Sequence, residues 1–115
     1  MLASEIKQKI QNNAGVLLVI LSRAGCQICD DFKFIVSEIQ PDHDKYLSVV
    51  GIDTADIDGL DIVPHLMYPM NYFYVKNEPR PFIRAGLVHG ELLDKELSKF
   101  KRVLEGEDPN LVFSG

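Results

Sequence analysis

The sequence predicts a single α/β domain, a three-layer α/β/α arrangement in which a mixed four-stranded sheet lies between helices. The apolar run Val16–Leu21 is followed by an amphipathic segment and then by a second apolar run, which is typical of a parallel strand–helix–strand unit with a right-handed crossover. Two later strand patterns are joined by the short connection Lys76–Arg80, which predicts an antiparallel hairpin. The length of 115 residues fits one domain.

Each element follows from a local pattern. Leu2, Ile6 and Ile10 recur one helical turn apart, and Pro41 stops the second helix. Pro81 has no amide hydrogen, so its strand is expected at the edge of the sheet. The predicted elements are a helix over residues 2–13, a strand over 16–21, a helix over 27–40, a strand over 46–53, a short helix or turn over 54–60, strands over 70–76 and 80–85, and a helix over 90–104. We expect residues 1–105 to form the domain and residues 106–115 to form a loosely held tail.

Composition and charge narrow the class of partner. The net charge of −5 argues against nucleic acid and against an anionic membrane surface, because both bind basic patches. The first 15 residues carry no apolar core of a secretory signal, and the longest apolar run is far shorter than the roughly 20 residues of a membrane span. We therefore expect a cytoplasmic protein, in which two cysteines seldom form a structural disulfide.

The pattern that carries chemistry is Cys26-Gln27-Ile28-Cys29, between a buried strand and an amphipathic helix. The free amides of a first helical turn and the positive end of the helix dipole stabilise a thiolate there. Cys29 lies one turn further along, within reach of a mixed disulfide formed at Cys26. We expect Cys26 to attack and the more shielded Cys29 to resolve the mixed disulfide.

Three other interpretations of the two cysteines stay open. A structural disulfide would close a loop of only four residues and stabilise the fold by about 2 kcal/mol. A zinc site would need two further ligands from His43, His65 and His89, which have no ligand-like spacing. The cysteines can also be without any function at the start of the helix.

With these residues in view, the chain resembles the thioredoxin superfamily over residues 2–105. The resemblance rests on Val16–Leu21 followed by the CxxC motif, on Val49–Asp53, and on Tyr68-Pro69-Met70 leading into an aromatic strand. It implies a thioredoxin fold, with a small four-stranded sheet similar in outline to that of glutaredoxins. It also implies a cis-proline beside the CxxC, for which Pro69 has the closer spacing and Pro64 is the rival.

The resemblance also implies how a substrate is held. The backbone of Tyr68 would pair with an extended substrate segment, beside Pro69. We expect Gln27 and Ile28, between the two cysteines, to belong to the same substrate-binding surface.

Several features depart from the family pattern. The chain has no Trp, and Ile20 stands where many members have a buried acid six residues before the first cysteine. Asp30 and Asp31 follow the motif where members often have Lys, and their charges oppose a nearby thiolate, an effect that Arg23 can offset in part. No clear glutathione-site pattern is present.

The function predicted from the sequence is thiol–disulfide exchange on protein disulfides by a Cys26/Cys29 dithiol. This function needs no bound cofactor and no metal. The expected partners are a protein disulfide substrate and a reductase, and we expect the protein itself to be a monomer. The alternative is a non-catalytic interaction module of the same fold, in which the CxxC is vestigial or regulatory.

Overall fold

The computed structural model describes residues 2–60, residue 62 and residues 67–114. The helices and strands, numbered in chain order, are α1 (Ala3–Gln11), β1 (Val16–Ser22), α2 (Gln27–Ile39), β2 (Leu47–Asp53), β3 (Met70–Val75), β4 (Phe82–Ala85), α3 (Gly90–Leu104) and α4 (Pro109–Val112), with 3-10 turns at Gln40–His43 and Thr54–Asp56. No helix of these residues has the length and apolar character needed to cross a lipid bilayer.

The four strands form one mixed sheet in the order β2–β1–β3–β4. β1 pairs in parallel with β2 and antiparallel with β3, and β3 pairs antiparallel with β4. Every residue of β1 is buried, as expected for a central strand covered on both faces. The predicted strand–helix–strand unit and the predicted hairpin are therefore both present.

Two apolar clusters hold the layers together, one on each face of the sheet. Alternate residues of β1 pack against α2 and α3 on one face, where Phe32 and Phe100 are fully buried. The intervening residues of β1 pack on the other face with Ile6 of α1 and with Ile57 and Ile62. This alternation follows from the two-residue period of a strand and gives the predicted three layers.

The C-terminal residues differ from the expectation of a loosely held tail over 106–115. The carboxylate of Asp108 accepts a hydrogen bond from the amide of Asn110 and so caps α4. Val112 is buried in the core, and the ring of Phe113 lies 5.4 Å from that of Phe82 and 5.2 Å from that of Phe100. Apolar burial, which local sequence patterns do not reveal, holds this segment in place.

Strand β4 is shorter than the predicted strand over residues 80–85. It begins at Phe82, directly after Pro81, and it lies at the edge of the sheet. A proline has no amide hydrogen to donate to a strand ladder. The position of Pro81 therefore accounts for the late start.

Candidate active site

Cys26 and Cys29 meet at the amino end of α2 and are joined by a disulfide bond, with their Cα atoms 5.3 Å apart. Cys26 is the N-cap residue of the helix, and its Sγ accepts a hydrogen bond of 3.1 Å from the backbone amide of Cys29. The sulfur of Cys26 therefore occupies the place where a helix start stabilises negative charge. The structure represents the oxidised form of the pair.

The two sulfurs differ in their access to solvent. Cys26 is half-buried, whereas Cys29 is only 1% exposed. An incoming disulfide can reach Cys26, while Cys29 can be reached only from within the site. This asymmetry fits one attacking and one resolving sulfur.

Gln27 and Ile28 are both exposed on the first turn of α2. The amide of Gln27 donates a hydrogen bond of 2.8 Å to the carboxylate of Asp31, which fixes its position along the helix. Ile28 is 54% exposed, which is high for a large apolar side chain. The surface beside Cys26 is thus apolar at Ile28 and acidic at Asp30 and Asp31.

The segment before β3 lies at the same end of the central strands as the start of α2. The ladder between β1 and β3 ends at Leu21 and Met70, one residue after Pro69. The peptide bond between Tyr68 and Pro69 is cis, and Pro69 is buried. Pro64, the rival proline, and His65 lie outside the described residues.

Tyr68 and Arg23 contact each other beside the motif. The guanidinium carbon of Arg23 lies 5.1 Å from the centroid of the Tyr68 ring, a cation–π geometry. The carbonyl of Pro69 accepts a hydrogen bond of 2.7 Å from the amide of Gly86. This bond ties the segment to the chain that follows β4.

Three polar residues near this end of the sheet, two of them buried, were not identified from the sequence. The ammonium group of Lys33 donates a hydrogen bond of 3.1 Å to the hydroxyl of Ser22, the buried last residue of β1. Asn71 is fully buried in β3, and its Nδ2 donates a bond of 3.1 Å to the carbonyl of Gly86. Its Oδ1 has no hydrogen-bond partner among the described residues. The available signal was a polar residue at an inward position of the aromatic strand.

The histidines considered as zinc ligands lie elsewhere. His43, at the opposite end of α2 from the cysteines, is hydrogen-bonded through Nδ1 to the hydroxyl of Tyr46 and donates through Nε2 to Asp94 over 2.6 Å. His89 is the exposed N-cap residue of α3 and makes no side-chain capping bond. The described part of the chain holds no group of three or more His, Cys, Asp or Glu side chains arranged to bind a metal ion.

No protein-family model matches the sequence, and no curated protein is a significant match to it. The structure is similar to the crystal structure of chloroplastic thioredoxin z, with a TM-score of 0.79 at 13% sequence identity. The match covers 89% of this chain and 92% of the other. Together with the mixed four-stranded sheet and the helices on both of its faces, this similarity shows that the chain has the thioredoxin fold.

Proposed function

We propose that the protein is a thiol–disulfide oxidoreductase that acts on protein disulfides. The observation that carries the proposal is the pair of linked sulfurs at the start of α2, one half-buried and one 1% exposed. In the reduced protein, the Cys26 thiolate attacks one sulfur of a substrate disulfide. A mixed disulfide forms at Cys26, and the first substrate thiolate leaves.

The second step closes the pair. The Cys29 thiolate attacks the Cys26 sulfur, the mixed disulfide breaks, and the second substrate thiolate leaves. The two protons lost by the cysteines balance those taken up by the substrate thiolates. Two electrons thereby pass from the dithiol to the substrate, and a reductase restores the dithiol. No bound cofactor takes part.

The surroundings of Cys26 support its role as the attacking sulfur. The amide of Cys29 already donates to Cys26 Sγ at 3.1 Å, and the same bond would be stronger to a thiolate. We further propose that Gln27, Ile28, Tyr68 and Pro69 bind the substrate segment. The exposure of Ile28 supports this assignment, because an exposed apolar side chain beside a reactive group favours contact with another protein.

The direct test is catalysed reduction of insulin with dithiothreitol as the electron donor. We expect Cys26→Ser to lose essentially all turnover above the uncatalysed rate. The variant should still fold, because serine is itself a favoured N-cap residue. Ser37→Ala, a change at an exposed position further along α2, is the control and should retain turnover.

Cys29→Ser tests the resolving role. With Cys29 absent, the mixed disulfide at Cys26 has no internal sulfur to displace it. We expect a covalent adduct between Cys26 and an insulin chain, visible on non-reducing gels and removed by dithiothreitol. Wild-type turnover equal to that of Cys26→Ser, with no adduct in Cys29→Ser, would contradict the proposed function.

The second candidate is a non-catalytic interaction module, and the residue that favours it is Ile20. This buried apolar side chain stands where the family resemblance implies an acid that accepts a proton. The rate of Cys26 alkylation as a function of pH separates the two functions. A Cys26 pKa well below about 8.5 supports the oxidoreductase, and a pKa at or above that value supports the module. The first proposal includes a cytoplasmic location and a monomeric state for this protein.

A further inference from the structure

Asn71 carries a buried oxygen, Oδ1, that accepts no hydrogen bond from the described residues. The residue is fully buried, and among the described residues only one side of its amide is bonded, through Nδ2 to the carbonyl of Gly86. An unpartnered buried acceptor destabilises a folded protein by about 1–3 kcal/mol. Such an atom therefore calls for an explanation in the chemistry nearby.

The strand register places the side chain of Asn71 on the face of the sheet that α2 and α3 cover. Asn71 is paired with Ile20 across the ladder between β1 and β3, and Ile20 belongs to the core cluster on the α2 and α3 face. Phe73, two residues further along β3, belongs to the same cluster, so the side chain of Asn71 points to the same face. Asn71 is the second residue of β3, so it lies near the end of the sheet at which α2 begins.

Cys29 is the first buried residue of α2 and the one nearest the end of the sheet at which the helix begins. It is 1% exposed, and it precedes the buried Phe32 on the same helix face. Lys33, one turn after Cys29, reaches the hydroxyl of Ser22 at the end of β1. The first turns of α2 thus lie over the end of β1, and β3, which carries Asn71, is the strand next to β1.

The redox state of Cys29 determines whether its sulfur carries a hydrogen that needs a hydrogen-bond acceptor. In the disulfide form shown here, the sulfur of Cys29 has no hydrogen to donate. Reduction creates an S–H group on a sulfur that water does not reach. A buried donor thus appears on the face of the sheet where Asn71 Oδ1 is a buried acceptor without a partner among the described residues.

We propose that Asn71 is a positioning residue of the dithiol, and that its Oδ1 accepts a hydrogen bond from the Cys29 thiol when the disulfide is reduced. The inference rests on the proposed redox function of the same cysteines. Its consequence is that the reduced form is stabilised relative to the oxidised form. The amide takes the position opposite Ile20, where the family resemblance implies an acid on β1, and it does so without titrating.

The experiment is a redox equilibrium of the full chain with reduced and oxidised glutathione, read out by trapping free thiols. Asn71→Leu removes the acceptor, so we expect the equilibrium constant for reduction of the protein to fall by about threefold to tenfold. A tenfold change corresponds to about 30 mV toward a more reducing couple. Asn71→Asp keeps an Oδ1 acceptor and adds negative charge, so we expect an unchanged constant or a rise.

Tyr72→Phe is the matched control. The hydroxyl of Tyr72 is also buried and unpartnered among the described residues, but the ring belongs to the cluster on the opposite face of the sheet. Removing it should change the equilibrium constant by less than twofold. A shift in Tyr72→Phe as large as in Asn71→Leu would assign the effect to general packing and overturn the proposal.

A second readout follows the proton itself. In the Cys26→Ser background, the ultraviolet absorbance of the thiolate as a function of pH reports the pKa of Cys29, and we expect Asn71→Leu to lower that pKa. The charged groups on the elements packed next to this end of the sheet are Asp30 and Lys33 on α2, Asp53, which pairs with Ser22 in the ladder, and Arg84, which pairs with Asn71 and is bonded to Glu96 of α3. They are the same in both proteins, so the comparison isolates the amide.

The outcomes separate this inference from the proposed function. An unchanged glutathione equilibrium and an unchanged Cys29 pKa in a folded Asn71→Leu protein would overturn the role of Asn71, even if insulin is reduced. A shifted equilibrium in a protein that does not reduce insulin would retain the role of Asn71 and reject the proposed function. Equal shifts in Asn71→Leu and Asn71→Asp would also overturn the inference.

Discussion

The two ends of the sheet differ in how fully their buried polar groups are hydrogen-bonded. At the carboxyl end of β1, Asn71 Oδ1 has no partner within the described part of the chain, and the apolar side chains of Ile28 and Met67 are 54% and 59% exposed. At the other end, the ring nitrogens of His43 are both hydrogen-bonded, to Tyr46 and to Asp94.

The loop before β1 shows the same saturation. The side chain of Asn13 donates to the carbonyls of Gly15 and Tyr74 and accepts from the amide of Gly15. One end is therefore organised for stability. The other end retains features that cost stability, which is where a functional site is expected. Substitutions at the two ends should accordingly separate stability from activity.

The largest effect on stability is expected from His43→Ala. The change removes two hydrogen bonds and the packing of a buried ring, so the free energy of unfolding should fall by about 2–4 kcal/mol, although the hydroxyl of Tyr46 keeps its bond to the carbonyl of Leu97. Urea denaturation at neutral pH measures it. His89→Ala, at an exposed position, should change it by less than about 0.5 kcal/mol. Similar losses in both variants would contradict the contrast between the ends, as would a loss of insulin reduction by folded His43→Ala.

A smaller effect is expected from pH at the same end. Burial, with the negative charge of Asp94 as a second cause, raises the pKa of Tyr46 from 10.0 to about 12. The folded protein therefore holds the phenol proton more tightly than the unfolded chain. This stability is fully present below pH 10 and is lost as the pH rises through 12, at no more than about 1.4 kcal/mol per pKa unit.

Tyr46→Phe measures that alkaline loss. The variant lacks the phenol, so its free energy of unfolding should fall less between pH 9.5 and pH 12 than that of the wild type. The lysines and the other tyrosines titrate in both proteins and cancel in the difference. Parallel pH profiles would show that the phenol of Tyr46 is not responsible.

The smallest effect on stability is expected at the cysteine end, from Ile28→Ser. The side chain is largely exposed, so the free energy of unfolding should change by less than about 0.5 kcal/mol. If Ile28 binds substrate, KM for insulin should rise severalfold with little change in kcat, since contacts shared by ground and transition states are lost. Leu111→Ser, at a position 74% exposed on α4, is the matched control and should leave KM unchanged.

The elements set by local pattern were predictable from the sequence. The helix predicted over residues 90–104 has those bounds in the structure, because Leu93, Leu97 and Phe100 repeat at helical spacing on one face. The helix predicted over 27–40 ends one residue earlier, at Ile39. The position of the cysteine pair at the start of that helix followed from the same patterns.

The polar contacts between distant residues were not predictable. His43 and Asp94 are 51 positions apart, and no periodicity links a turn before β2 to the first half of α3. Asn71 lies within a strand whose aromatic residues dominate the pattern, and its pairing with Ile20 depends on the register between β1 and β3. Hydrogen bonding across a sheet depends on register, and β1 and β3 are far apart in the chain, so no tight turn between them fixes their register.

The packing of α4 affects where the domain can be cut. A version ending at Glu105, the boundary that the sequence pattern favours, would lose Val112 and Phe113 from the core. The rings of Phe82 and Phe100 would then face water, and the Arg84 side chain would lose the Phe113 ring that lies 5.4 Å from its guanidinium carbon. Such a shortened chain is expected to self-associate through the uncovered aromatic face, so engineered fusions and truncations should keep residues up to Ser114.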